Sequence, residues 1–298
     1  MANLKTLKTR IKSVKSTQKM TKAMKMVAAS RLKRAKSAVE SMRPFSDKIE
    51  EMIISLASNI SIRTNLNEKF PLLTGRGKSE SRLLVVISSD RGLCGGLNSA
   101  TVKFAKNRVN ELVAQGCEVK LFCIGRKAYE QLRSIYGKQI IDQNFGVFKA
   151  TINHKVAEDI ADKLVALFDE QAFDVCEVIY SKFKSAIVQE QVLKQLIPVP
   201  VKLENPASAQ VVSEAPVSYE PGEEEVLSQL LPKNLAMQIY NELLENSASE
   251  QGARMAAMEA ATNNAGKMIK NLTLVYNRTR QANITKELID IISGANTV

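Results

Sequence analysis

The sequence predicts a long antiparallel two-helix coiled coil built from the two ends of the chain, with an α/β domain between them. Three observations predict it: an apolar repeat in steps of three and four at the N-terminal end, the same repeat at the C-terminal end, and short β-rich runs alternating with helical stretches in the middle.

Counted in heptads from Leu4, the inward positions of the first arm are Leu4, Leu7, Ile11, Val14, Gln18, Thr21, Lys25, Ala28, Leu32, Ala35, Val39, Met42, Ser46, Ile49, Ile53, Leu56 and Ile60. A stripe this long needs a facing helix to cover it, and a continuous helix would extend about 85 Å. Gln18, Thr21 and Lys25 interrupt the stripe with polar groups, which implies that the facing helix has diverged there or that another protein replaces it. Pro44 removes a backbone donor and is expected to kink or break the helix.

The second arm carries Met237, Tyr240, Leu244, Met258, Ala261, Ala265, Met268, Leu272, Val275, Thr279, Ala282 and Ile289 at matching steps. Pro232 is expected in its first turn, where a missing donor is harmless. Gly252 and Gly266 lie mid-helix at a cost of about 1 kcal/mol each relative to Ala, which is tolerable where they let another surface approach closely.

In the middle, Leu83 to Ser88 is a continuous apolar run followed by a Gly-rich turn, and residues 99 to 115 are helical in pattern. Val119 to Ile124 is a second buried strand, and Gly125 opens a helix over Arg126 to Tyr136. A helix at 154 to 171 leads to a strand at Val175 to Tyr180. This alternation predicts a mainly parallel sheet covered by helices, a Rossmann-like α/β domain. From Pro198 to Glu225 the chain carries five prolines and then a cluster of acids, and is expected to be extended or loop-like. The expected division is 1–60 for the N-terminal helix, 61–81 for a connector, 82–200 for the α/β domain, 201–225 for a foot loop or linker and 226–298 for the C-terminal helix.

At 298 residues and 45% hydrophobic, the chain is long enough for real cores. The net charge of +11 is concentrated at the start: Lys5, Lys8, Arg10, Lys12, Lys15, Lys19, Lys22, Lys25, Arg31, Lys33, Arg34 and Lys36 all precede the first acid, Glu40. Such an arm seeks an acidic partner: nucleic acid, an anionic membrane surface or an acidic protein collar. Composition alone does not choose among the three, although aromatics at 5% and the absence of Trp disfavour a base-stacking platform. No segment approaches the roughly 20 apolar residues needed to cross a bilayer. The basic N-terminus resembles a transit peptide in its lack of acids, but it favours Lys over Arg and its repeat runs on without interruption, so the mature chain is expected to begin at or near Met1.

Chemistry-bearing residues are sparse. Cys94, Cys117, Cys123 and Cys176 show no CxxC spacing, and His154 is the only histidine. Free thiols in a reducing cytosol are expected, and neither a zinc site nor a cofactor is. The most site-like stretch is Ser89-Asp90-Arg91-Gly92-Leu93-Cys94-Gly95-Gly96-Leu97-Asn98, because a Gly-rich turn after a strand can cradle phosphate at a helix N-terminus. It contains neither GxGxxG nor GxxxxGK[ST]. Cys94 between glycines has the look of a nucleophile elbow, yet His154 sits in a helical segment with no defined partner. The structural reading is a tight turn in which Asp90, Arg91, Gly92, Gly95 and Gly96 let the domain pack against the coiled coil. The last residues, Ile291 to Val298, form a mostly uncharged, small-residue end suited to insertion into another protein.

Three of these stretches together resemble one family along essentially the whole chain. Ser16 to Ser30 (STQKMTKAMKMVAAS), the turn Ser89 to Asn98 (SDRGLCGGLN), and Ile284-Thr285-x-Glu287-x-x-Asp290-x-x-x-Gly294-Ala295 are similar to the opening helix, side-domain hallmark and C-terminal signature of the gamma subunits of F-type ATP synthases. Ser249-Glu250-Gln251-x-Ala253-Arg254-Met255 and Val275-Tyr276-Asn277 lie in family-like places between them. The resemblance implies a rotor shaft without catalytic residues of its own, inside a ring of three alpha and three beta subunits. Rotation of a membrane c-ring would then turn the shaft and bias the ring's nucleotide sites in sequence. It also implies ring contacts at Lys19, Lys22, Met24, Lys25, Arg254, Gln281, Thr285 and Glu287. A foot around Tyr219, Glu220 and Pro221 would meet the c-ring and the epsilon subunit, at the cytoplasmic face of a bacterial inner membrane. The competing readings are a basic coiled-coil protein binding nucleic acid and a nucleotide-dependent enzyme built on the middle domain.

Overall fold

The computed structural model describes residues 4–61, 69–148, 152–200 and 222–295. The elements in chain order are α1 (Leu4–Ser61), α2 (Pro71–Thr74), β1 (Ser81–Ile87), α3 (Leu97–Ala114), β2 (Glu118–Ile124), α4 (Arg126–Tyr136), β3 (Ile140–Asn144), α5 (His154–Asp169), β4 (Val175–Phe183), β5 (Gln189–Ile197) and α6 (Glu223–Ala295). The chain divides into two compact units: residues 31–253, and residues 1–30 with 254–298.

The larger unit is built on a sheet in the order β3-β2-β1-β4-β5. β1 pairs in parallel with β2 and β4, β2 in parallel with β3, and β5 runs antiparallel to β4. Alternate side chains of β1 go to opposite faces, as strand geometry requires. Leu84 and Val86 join Val102, Ala105, Val109 and Leu112 of α3 and Ala128 and Leu132 of α4. Leu83, Val85 and Ile87 join Ile160, Leu164 and Phe168 of α5 and Leu235, Ile239 and Leu243 of α6. A separate cluster joins Ile49, Ile53 and Leu56 of α1 to Leu227, Leu231 and Met237 of α6, with Phe70, Leu73 and Val199. Both faces of the parallel strands are covered, which is why they read as continuous apolar runs.

One buried charge set crosses the sheet. Glu177 of β4 accepts two hydrogen bonds from Arg108, at 3.0 and 2.6 Å, and one from Arg82 at 3.1 Å. The hydrogen bonds that Arg108 donates to Glu177 hold its guanidinium more firmly protonated than usual, against the pull of burial.

In the smaller unit, the start of α1 and the end of α6 run antiparallel. Lys25 meets Glu259, Thr21 meets Thr262, and Gln18 donates to the Thr262 carbonyl. Every heptad position read from Leu4 to Leu56 is buried or half-buried, and the side chain of Ile60 lies outside the described residues.

Several expectations are corrected. α1 passes through Pro44 without a break. Pro44 is exposed, so the carbonyl it deprives of a partner has access to water. α6 begins at Glu223, so Pro232 lies inside it and not in its first turn. The three glutamates Glu223, Glu224 and Glu225 occupy that turn, where negative charge suits the helix dipole. The C-terminal stripe slips by one residue: Met268, Val275 and Ala282 are exposed, and Ile269, Tyr276 and Asn283 take the inward places. Ile289 is exposed as well. β3 and the antiparallel β5 were not foreseen.

Candidate functional site

The Gly-rich turn between β1 and α3 is a closed structure. Leu93 adopts φ 66° and Gly95 φ 60°, both in the left-handed region, which reverses the chain in few residues. Inside it, Ser89 Oγ donates to the Arg91 carbonyl at 2.6 Å, and Asn98 Oδ1 accepts from Ser89 N at 3.2 Å. Asn98 Nδ2 lies 3.2 Å from Cys94 Sγ, and Cys94 is buried with Leu97 and Ala253. The turn therefore seats on α6 through Cys94 and Leu97.

Asp90 is the anchor. Its carboxylate accepts from Arg126 N at 3.3 Å, Gly146 N at 3.0 Å and Phe148 N at 3.3 Å, tying together the loops that leave three strands. Arg91 is exposed and contributes its carbonyl, so it shares in the turn through backbone and not charge. Gly92 and Gly96 are exposed. Gly125 is required: a Cβ there would fall 2.1 Å from the Ser88 carbonyl oxygen. His154 does have partners, lying 3.1 Å from Glu158 Oε1 and edge-on to Tyr240 at 5.4 Å.

In this strand order the direction of winding reverses between β1 and β4, and the crevice at their carboxyl ends is where open α/β sheets bind ligands. Here α6 fills it. Glu245, Asn246 and Ser249 of α6 bond to the backbone of Ser181 and Phe183 at the end of β4. One turn earlier, Glu242 is fully buried. Lys194 Nζ is 3.2 Å from its Oε1 as an ion pair, and neither oxygen accepts a well-aligned hydrogen bond among the described residues. Burial pushes the Glu242 carboxyl up to about 7, against the opposing pull of Lys194. Burial raises Tyr180 and Cys176 too, helped by the negative charge of Glu242, and pushes the Cys123 thiol up to about 12.

The residues of the expected ring contacts fall on the two helices of the smaller unit. Lys19 and Lys22 are exposed on α1, and Met24 is half-buried. Lys25 is engaged by Glu259 at 2.6 Å. Arg254 is half-buried on α6, while Gln281, Thr285 and Glu287 are exposed toward its end. Tyr219, Glu220 and Pro221 lie outside the described residues. The polar stretch at Gln18, Thr21 and Lys25 is corrected: the facing helix has not diverged but answers it residue for residue, with Thr262 Oγ1 2.7 Å from Thr21 Oγ1. Past Asn283, the described side chains of α6 are all exposed, among them Ile284, Leu288, Ile291 and Ile292 at 48–67%. These four share one helical face.

A family model described as ATP synthase matches residues 3–298. The chain is 50% identical to an ATP synthase gamma chain of Nitrobacter winogradskyi over 299 aligned residues, covering all of both proteins. The chain belongs to the ATP synthase gamma-chain family. A gamma chain of Rhodopseudomonas palustris is 52% identical, again over the full length of both. Among solved structures, a chain from the central stalk and c-ring of the Tetrahymena thermophila mitochondrial ATP synthase is 28% identical. It superposes with TM-score 0.61 over 81% of this chain and 99% of that one. A chain of the Euglena gracilis mitochondrial ATP synthase shares the fold, with TM-score 0.67 and 17% identity over 99% and 94%.

For a gamma-family chain, the residues that sequence reasoning missed are those of α6 that bind β4. The only signal was the gap in the apolar stripe between Leu244 and Met258, where polar residues fill the inward places.

Proposed function

We propose that this chain is the central rotor shaft of an F-type ATP synthase, coupling rotation of a membrane ring to the conformational cycle of the alpha and beta catalytic sites. The observation that carries this reading is full-length identity of about half with ATP synthase gamma chains. Its internal structure supports the mechanism. Two antiparallel helices keep their inward positions at strict steps of three and four, as in Met258, Thr262, Ala265, Ile269, Leu272, Tyr276, Thr279 and Asn283 of α6. A repeat of 3.5 residues supercoils left-handedly and resists bending and torsion as one coiled coil.

The shaft acts by position. Its faces differ around the axis, so each orientation offers a different surface to each neighbouring subunit and biases that subunit's site by the difference in contact energy. Lys19, Lys22, Met24, Lys25, Arg254, Gln281, Thr285 and Glu287 are the proposed contacts with a ring of three alpha and three beta subunits. The uncharged face of Ile284, Leu288, Ile291 and Ile292 suits a bearing in which few charges lose water. Tyr219, Glu220 and Pro221 are the proposed foot on the c-ring and epsilon subunit, at the cytoplasmic face of a bacterial inner membrane. The α/β domain is Rossmann-like in strand order but serves as a mount: α6 fills the crevice where such a sheet would hold a nucleotide. Catalysis belongs to the neighbouring subunits in this reading.

Co-purification tests it. A tagged chain is expected to bring down alpha and beta subunits in a 3:3:1 complex that hydrolyses ATP. Recovery of the chain free of both, with retention on heparin, would favour the nucleic-acid reading instead.

A further inference from the structure

β4 is longer than its parallel neighbour. β1 pairs with β4 only through Val86↔Ile179, and β4 runs on to Phe183 beside β5. Ser181 and Phe183 therefore turn a row of backbone groups toward a place where β1 has already ended. Unpaired strand groups at a buried edge need partners.

α6 supplies them. Asn246 Oδ1 accepts from Ser181 N at 3.3 Å, and Glu245 Oε2 accepts from Phe183 N at 3.1 Å. Ser249 Oγ donates to the Ser181 carbonyl at 2.7 Å. On the other face, Thr101 Oγ1 of α3 lies 3.2 Å from Ser181 Oγ. Asn246, Ser249 and Ser181 are at most 1% exposed. Gly252, one turn on, lets the helix close on the same strand, since a Cβ there would stand 2.8 Å from Phe183 Cε2.

We propose that Glu245, Asn246 and Ser249 replace the missing end of β1 as a strand clamp, and that this clamp is the path by which torque passes between the α/β domain and the C-terminal helix. Apolar packing alone resists separation well but sliding poorly, because it has no direction. Hydrogen bonds to strand backbone fix register along the helix axis and around it. Side chains on two successive turns of α6, gripping consecutive groups of one strand, hold the helix against both rotation and slip. The three are positioning residues, and the proposal rests on the rotor reading above.

The test uses the assembled complex in membrane vesicles, with ATP-driven proton pumping measured per ATP hydrolysed. Wild-type chain is expected to restore pumping. If it does not, the rotor reading itself fails. The variant pair Glu245→Met with Asn246→Leu removes both acceptors, and is expected to keep complex yield and ATP hydrolysis while losing pumping per ATP. Glu245→Gln, which keeps an acceptor of the same shape, is expected to pump as wild type. Amide exchange at Ser181 and Phe183 should rise about tenfold in the paired variant, each lost bond to a buried donor being felt locally. Unchanged exchange would show that the clamp does not form. Faster exchange with wild-type pumping would show that torque travels elsewhere. Should the paired variant not assemble, Asn246→Leu alone is read in the same assays at the Ser181 amide, with the same two overturning outcomes.

Discussion

The C-terminal helix carries two polar stretches on its packed face, and they are solved in opposite ways. In the smaller unit, Glu259 and Thr262 meet Lys25, Thr21 and Gln18 across a helix pair whose edges reach water: the Lys25 and Glu259 side chains are 37% and 52% exposed. In the larger unit, Glu242, Asn246 and Ser249 are buried against a sheet. A polar group that keeps water loses little when its partner goes. One sealed from water loses its whole solvation. The first layer can therefore fix register cheaply, whereas the second makes attachment depend on each bond.

That contrast predicts unequal responses, the largest at Glu242. Burial pushes its carboxyl up to about 7, above the ordinary carboxylate range. The raised group favours the folded state while protonated, so its contribution is complete below about pH 4.5 and disappears as pH rises through 7. Urea unfolding of wild type and Glu242→Gln from pH 5 to 8 should differ in slope, with wild type losing about 3 kcal/mol relative to the variant. Parallel curves would mean that Glu242 stays solvated.

Two mid-helix glycines of α6, Gly252 and Gly266, sharpen the comparison. Gly252→Ala sets a Cβ 2.8 Å from the Phe183 ring, and should cost about 1–3 kcal/mol in thermal unfolding. Gly266→Ala meets only the movable Gln18 Nε2 at 3.1 Å, and the gain in helix propensity of about 1 kcal/mol should leave it neutral or stabilised. Equal losses at both would remove the distinction between the two regions.

The smallest effect belongs to the exposed pair. Lys25→Met should change stability by less than about 1 kcal/mol, with the difference shrinking further in high salt. A large, salt-insensitive loss in denaturant titration would show that this layer is as sealed as the other.

Much of the architecture was legible because periodicity is a physical record of burial. The α1 repeat could be read position by position, since it faces one neighbour along its length. α6 was harder. After Ala265 both Met268 and Ile269 are apolar, so the repeat fits two registers, and the one through Met268 puts Val275 and Ala282 on the inward face. Tyr276 and Asn283 are inward because the polar end of a side chain at a two-helix seam can still reach solvent. β5 (QEQVLKQLI) escaped notice because an edge strand half in water lacks a continuous apolar run. The clamp left only the gap after Leu244 as a trace: Glu245, Asn246 and Ser249 look like solvated helix surface until the overrun of β4 beyond β1 is seen.

The bare end of α6 has a consequence for the cell's economy of synthesis. Ile284, Leu288, Ile291 and Ile292 form a sticky face that no described residue of this chain covers. Such a surface draws in other copies or a chaperone while the chain waits unassembled. Production of the chain should therefore be tolerated only in step with the proteins that receive its tip, and its soluble yield when made alone should rise when these four isoleucine and leucine positions are made polar.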